Sequence, residues 1–221
     1  MDYMNICRLN SPKDVAGCVS DAITALRAGG VIIYPTDTLY GLGADALSDE
    51  AVAKIYSIKG RDERKPIHCI VADMEMAEKF AEVNDEARKL AKEFFPGSLT
   101  LILKKRKGIE TGIAKGIDTI GIRIPNNEFC LSLAREFGKP VTTTSANIAG
   151  VKPEKSVGKI IAQLGKSADL VDLAIDAGDP PADGTERLPS TIVDVSSGKP
   201  IILREGAIHV AEIWDTLQTN L

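Results

Sequence analysis

The sequence predicts an α/β fold on three observations. Strand-like and helix-like patterns interleave along the whole chain. Two of the apolar runs turn polar at their C-terminal ends, as strands do when they end at a ligand-facing sheet edge. The last two strand-like runs read as a hairpin, which argues for a mixed rather than a purely parallel sheet. At 221 residues the chain can bury one sizeable core, and no internal repeat, low-complexity tract or linker divides it. Residues 1–221 are therefore expected to form one domain.

The first helix is announced by Ser11-Pro12-Lys13-Asp14, with Ser as N-cap, Pro at the first helical position and an acid behind it. Val15, Cys18, Val19, Ala22, Ile23 and Leu26 then recur at helical spacing until Gly29. Residues 31–33 form the opening buried strand, followed by Pro35, then Thr36-Asp37-Thr38 and Gly41-Leu42-Gly43. Three short polar side chains there can present hydroxyls and a carboxylate to a ligand, and the glycines would let the backbone approach it. A second helix starts at Ser48 and ends near Gly60, where a compact charged loop carries Lys59, Arg61, Arg64 and Lys65.

Residues 67–72 are an apolar strand that includes His68, and helices are expected at 74–80 and 85–95, the second broken by Pro96-Gly97. A strand at 99–103 runs into the basic stretch Lys104-Lys105-Arg106-Lys107, read as a solvated loop face. Residues 119–125 alternate like a strand but carry Arg123. A helix at 127–137 ends at Gly138, and 141–147 is a strand that turns polar through Thr142-Thr143-Thr144-Ser145. A helix from Ser156, a strand at 170–175, a polar segment at 178–189 that reads as a mobile loop, the hairpin 190–204 and a helix at 210–217 complete the chain.

Net charge is −4, which removes any global basic surface for nucleic acid, and aromatic content of 5% offers few stacking platforms. Cys7, Cys18, Cys69 and Cys130 show no CxxC spacing and only two histidines accompany them, so reduced thiols in a cytoplasmic protein fit better than a metal site or a disulfide framework. The N-terminus lacks the basic and apolar regions of a signal peptide, and no apolar run approaches the ~20 residues of a membrane span. There is no GxxxxGK[ST] loop, and no Ser–His–Asp or Cys–His constellation.

The charged loop is either a solvated turn or a phosphate site, since phosphates need dense positive charge with donors. Arg123 is either a structural ion pair or a carboxylate clamp, its neighbours Ile122 and Ile124 pointing to the opposite face. His68 reads more simply as a satisfied core histidine than as a ligand group, and Arg204 carries the same ambiguity as Arg123. Ser145-Ala146-Asn147 is a plain turn or the polar rim of a nucleotide site.

Taken together, PTDTLYGLG (35–43), Lys59-Gly60-Arg61 with Lys65-Pro66, TIGIRIP (119–125), Ser145-Ala146-Asn147, Pro189-Ser190-Thr191-Ile192-Val193-Asp194 and Leu203-Arg204-Glu205-Gly206 resemble the YrdC-like threonylcarbamoyl-AMP synthase family. The resemblance spans residues 29–206 and fits the family's short form, without the additional C-terminal domain of its long form. It implies a twisted open mixed sheet flanked by helices, YrdC-like and RibB-like, with a large concave, positively lined cavity. It also implies a nucleotidyltransferase that makes L-threonylcarbamoyl-AMP, pyrophosphate and water from L-threonine, bicarbonate and ATP. Mg²⁺ would bridge the phosphates, with Asp37 as an outer-sphere contact. The product would feed a separate transferase complex that modifies the tRNA adenosine beside the anticodon, with weak or indirect tRNA binding.

By the same resemblance the threonine pocket falls on Thr36, Arg123, Thr143 and Ser190, with His68 beside them. The ATP site falls on Lys59, Arg61, Thr119, Ser145, Asn147 and Arg204. Lid duty falls to 178–189, and no protein nucleophile is needed. An RNA-binding module of the same fold, or a relative acting on another carbamoyl adenylate, are the competing functions.

Overall fold

The computed structural model describes residues 4–63, 65–178 and 187–218. Strand β1 (Asn5–Arg8) leads through a tight turn into α1 (Val15–Arg27), and the Asp14 carboxylate closes that turn by accepting the Ser11 N–H at 2.8 Å. Strands β2 (Ile32–Tyr34) and β3 (Gly41–Gly43) follow, then α2 (Asp49–Lys59), whose N-cap Ser48 accepts the Ala51 N–H. Next come β4 (His68–Ile70), α3 (Met74–Phe80), β5 (Ala81–Glu82) and α4 (Asp85–Phe94), with Asp73 and Asn84 as the helix caps. The second half runs β6 (Leu99–Lys105), β7 (Thr119–Arg123), α5 (Glu128–Phe137), β8 (Val141–Ser145), α6 (Val157–Leu164) and β9 (Leu173–Asp176). The hairpin β10 (Thr191–Asp194) and β11 (Ile201–Arg204), then α7 (Val210–Gln218), end the described chain.

The strands form one mixed sheet in the order β1-β9-β2-β3-β8-β4-β7-β6-β10-β11, with β5 beside β6. Its two faces are covered unequally, and the site follows from that. One face packs a large apolar core beneath α2, α3, α4, α6 and α7, taking Ile33, Leu42, Cys69, Leu101, Ile122 and their like. On the other face α1 and α5 cover only Ile32, Tyr34, Ile70, Val141, Leu173 and Ile175. Strand alternation then carries the same face onward, uncovered, through Thr36, His68, Arg123 and Thr143. The unroofed part is the floor of the cavity.

Several expectations are corrected here. Gly41 and Gly43 are not in a loop but in a sheet strand, paired antiparallel to β2 and β8, and from that strand Gly41 lines the cavity. They are glycine because the Tyr34 ring lies against them: a Cβ on Gly43 would stand 2.8 Å from that ring. Lys104 and Lys105 are the end of β6 rather than a loop, and Lys105 is buried against Glu110 at 2.9 Å and the Ala114 carbonyl at 3.0 Å. The short strand β5 was not expected, and a 3₁₀ turn from Gly165 to Leu170 takes the start of the strand expected at 170.

Cys7 and Cys18 form a disulfide, against the expectation of reduced thiols, with Cα atoms 5.8 Å apart. The cause is topological: α1 doubles back over edge strand β1 after the Pro12–Asp14 turn and brings its first turn against it. Cys69 and Cys130 are free and buried. Of the segment 178–189, read as a mobile loop and lid, residues 179–186 lie outside the described residues, as does Arg64 of the charged loop.

Candidate functional site

The uncovered part of the sheet opens into a cavity of about 740 Å³, within the usual range for a bound small molecule. Strand alternation supplies its floor: Thr100 and Ile102 from β6, Thr119, Gly121 and Arg123 from β7, His68 from β4, and Thr143 and Ser145 from β8. The hairpin gives one wall, with Ser190, Ile192 and Arg204, and the chain beyond β8 gives another, with Asn147, Lys152 and Lys155. All five residues of the expected threonine set line this cavity, and five of the six ATP-set residues do; Lys59 does not.

Arg123 is 4% exposed, and its guanidinium is anchored on three sides. Nη2 donates to Asp37 Oδ1 at 2.6 Å, Nη1 to Thr38 Oγ1 at 2.7 Å and Nε to the Gly97 carbonyl at 3.1 Å. The structural ion pair is thus present, and the arginine also lines the cavity. Asp37 is this pair's other half. The Thr36 hydroxyl is turned into its own loop, donating to the Leu39 carbonyl at 2.7 Å and accepting the Thr38 N–H at 3.0 Å. It shapes the loop that carries Asp37 and Thr38 to Arg123.

His68 is not a core histidine. It stands opposite Thr143 in the β4–β8 ladder, and its ring lies against Gly121, where a Cβ would come within 2.4 Å of it. Any side chain at 121 would displace the imidazole. Burial, and then the positive charges of Arg204 and Arg61, push its pKa down to about 4, so the ring is neutral at pH 7.

Lys59 closes α2 and is 2% exposed. Its ammonium donates to the Ser145 carbonyl, to the Asn147 carbonyl at 2.9 Å and to Asn147 Oδ1 at 3.1 Å. The Asn147 amide nitrogen is spent in turn on the Ile148 and Val151 carbonyls, and the Ser145 hydroxyl donates to Asn147 Oδ1. Lys59 therefore braces the turn after β8 from beneath, rather than belonging to an exposed charged loop. Burial, then Arg61, lowers its pKa to about 8. Arg61 does face the cavity, donating to the Pro66 carbonyl at 3.1 Å, while its Nε is buried without a hydrogen-bond partner.

Arg204 grips the start of the hairpin, donating from Nε and Nη2 to the Ser190 carbonyl at 3.0 and 2.8 Å and from Nη2 to the Ser190 hydroxyl at 3.1 Å. Burial, then Arg123 and Arg61, lower its pKa. Three arginines thus feel one another across one cavity, a field suited to a polyanionic ligand. Sequence reasoning assigned no site role to Gly121 or Thr100. Gly121 stood in the TIGIRIP motif already singled out; nothing local marked Thr100.

The Sua5/YciO/YrdC family model, described as "Telomere recombination", matches residues 24–206. A putative threonylcarbamoyl-AMP synthase of Methanocaldococcus jannaschii is 42% identical, the match covering 84% of each chain. The threonylcarbamoyl-AMP synthase of Bacillus subtilis is 36% identical over 88% of this chain but 55% of its own. Pyrococcus abyssi Sua5, solved in complex with L-threonine, superposes with a TM-score of 0.84 at 31% identity, covering 98% of this chain and 61% of that one. The chain thus spans little more than half the length of the Bacillus and Pyrococcus proteins.

Proposed function

This chain belongs to the Sua5/YciO/YrdC family, and from that premise we propose that it is an L-threonylcarbamoyl-AMP synthase. The observation that carries the proposal is the convergence, in one cavity, of a buried arginine on an otherwise apolar strand, a neutral histidine, a set of hydroxyls and two further arginines. Threonine brings a carboxylate and a hydroxyl; ATP brings a polyanion. In this reading Arg123, braced by Asp37, receives the threonine carboxylate, with His68, Thr143 and Ser190 around the amino acid. Arg61 and Arg204 face the phosphates, with Thr119, Ser145 and Asn147 along the nucleotide.

The chemistry needs no protein nucleophile. The neutral amine of threonine takes up bicarbonate with loss of water, giving a carbamate. A carbamate oxygen attacks the α-phosphorus of ATP, the bond to the bridging oxygen breaks, and pyrophosphate leaves with its electron pair. The protein contributes positioning and fixed positive charge near the developing negative charge. Uncharged His68 leaves no imidazolium to compete with the arginines for the carboxylate. Mg²⁺ would enter with ATP: the described cavity walls bear two carboxylates, Glu154 and Asp194, and no cage of them. In this reading the product would pass to a separate transferase acting on tRNA, in the cytoplasm, with tRNA contact by this chain weak or indirect.

The test is mass spectrometry of the product from Mg-ATP, bicarbonate and L-threonine, with pyrophosphate release followed in parallel. A threonylcarbamoyl adenylate and threonine-dependent pyrophosphate are expected. Pyrophosphate release indifferent to threonine would remove the substrate assignment.

A further inference from the structure

Thr100 lies on the floor of the cavity, 1% exposed, on a strand otherwise built of leucine, isoleucine and lysine. The parallel β6–β10 ladder sets it beside Ile192 and brings its hydroxyl to 2.9 Å from that of Ser190, itself 7% exposed. Among the described residues, Ser190 is the only hydrogen-bond partner of the Thr100 hydroxyl. The Ser190 hydroxyl has a second partner, the Arg204 guanidinium, which can only donate.

That asymmetry decides which hydroxyl gives its proton to the other. Were Ser190 to donate to Thr100, the Thr100 O–H would be left without an acceptor in a fully buried position, the expensive arrangement. If Thr100 donates to Ser190, both lone pairs of the Ser190 oxygen are filled, one by Thr100 and one by Arg204. The Ser190 O–H then turns to the cavity, where a ligand oxygen or water can accept it. We propose that Thr100 is a positioning residue that polarises Ser190, so that its hydroxyl can only donate, toward an anionic oxygen of the bound amino-acid substrate or its carbamate. This rests on the reading of Ser190 as part of the threonine pocket.

A double-mutant cycle on the full chain tests it, with KM for threonine and for ATP measured separately from pyrophosphate release. Thr100→Val keeps the shape and removes the donor. It is expected to raise the threonine KM about tenfold while the ATP KM moves less than about twofold, and Thr100→Ser is expected to restore most of the loss. In a Ser190→Ala background, Thr100→Val is expected to add nothing, because the hydroxyl it orients is gone. If Ser190→Ala raises the threonine KM and Thr100→Val does not, the polarising role is wrong and the pocket reading stands. A Thr100→Val effect of equal size in the Ser190→Ala background, or no rescue by Thr100→Ser, would make Thr100 a packing residue and overturn the proposal. If Ser190→Ala leaves the threonine KM unchanged, the pocket reading fails and takes this inference with it. Thermal unfolding of each variant separates loss of fold from loss of binding.

Discussion

Arg123 and Lys59 are both deeply buried cations, and the fold holds them by opposite chemistry. Arg123 faces a carboxylate, Asp37, and commits three of its five N–H groups to fixed partners. The remaining two have no partner among the described residues, and the side chain lines the cavity. Lys59 has no carboxylate partner in any of its three hydrogen bonds; all three donors go to amide oxygens of Ser145 and Asn147. A buried cation with donors to spare can bind substrate; one whose donors are all spent can only shape the site that does. Between them lie the two polar strand ends of the cavity, one steadied by an ion pair and the other by an ammonium in a cradle of carbonyls.

The largest effect expected from this contrast is at Arg123. Arg123→Ala leaves Asp37 almost buried and unpaired, at a cost of about 4 kcal/mol of stability. Loss of fold in that variant therefore says nothing about threonine. The sharper variant is Arg123→Lys, which keeps a charge near Asp37 and loses the fork. It should raise the threonine KM more than about tenfold and leave the ATP KM nearly unchanged. Threoninamide, lacking the carboxylate, should bind the wild type poorly. Threoninamide binding as tightly as threonine would reduce Arg123 to the ion pair alone.

Next in size is Lys59. Lys59→Ala orphans the buried Asn147 carbonyl and takes one donor each from the Ser145 carbonyl and Asn147 Oδ1, and is expected to cost about 3 kcal/mol. In a protein of this length that lowers Tm by roughly 10 °C. Arg61→Ala, two residues on, removes a partly exposed side chain whose side-chain hydrogen bond among the described residues is to the Pro66 carbonyl. It should change stability by less than about 0.5 kcal/mol while turnover falls tenfold or more. Two lysine–arginine neighbours that lose stability equally would erase the distinction between brace and ligand.

What the sequence made legible was the face each residue occupies, because strand alternation is local. Arg123 between Ile122 and Ile124 had to point away from the core, and Ile122 and Ile124 are indeed in it. What stayed hidden were partners. Asp37 and Arg123 are 86 residues apart, as are Lys59 and Ser145, and no local pattern joins them. Thr100 in an apolar strand looked like ordinary strand composition, and its role exists only because β10 arrives beside β6. The glycines 41 and 43 were placed in a loop for the same reason: the Tyr34 ring that requires them crosses from the neighbouring strand. Among relatives of known structure the shape of the sheet could be expected from the motifs, but the charge-pairing inside the cavity could not.

The smallest expected effect is also the most direct reading of the cavity's field. His68 stands between the two halves of the site, pushed down to about pKa 4 by burial first and then by Arg204 and Arg61. An unfolded histidine titrates near 6.5. Between pH 6.5 and 4 the unfolded chain therefore takes up a proton that the native chain refuses, and stability falls as the pH is lowered through that window. The slope from this one group reaches about 1.4 kcal/mol per pH unit, and it should vanish in His68→Gln, read as the difference between the two proteins' unfolding midpoints at each pH. The His68 ring is followed by proton NMR. Because two of the three causes at His68 are arginine charges, an ATP analogue that neutralises them should move the His68 midpoint up. A His68 midpoint near 6.5 in the free protein, or one indifferent to the nucleotide, would mean that Arg61 and Arg204 do not face the same ligand space as His68, and the two halves of the cavity would have to be treated as separate sites.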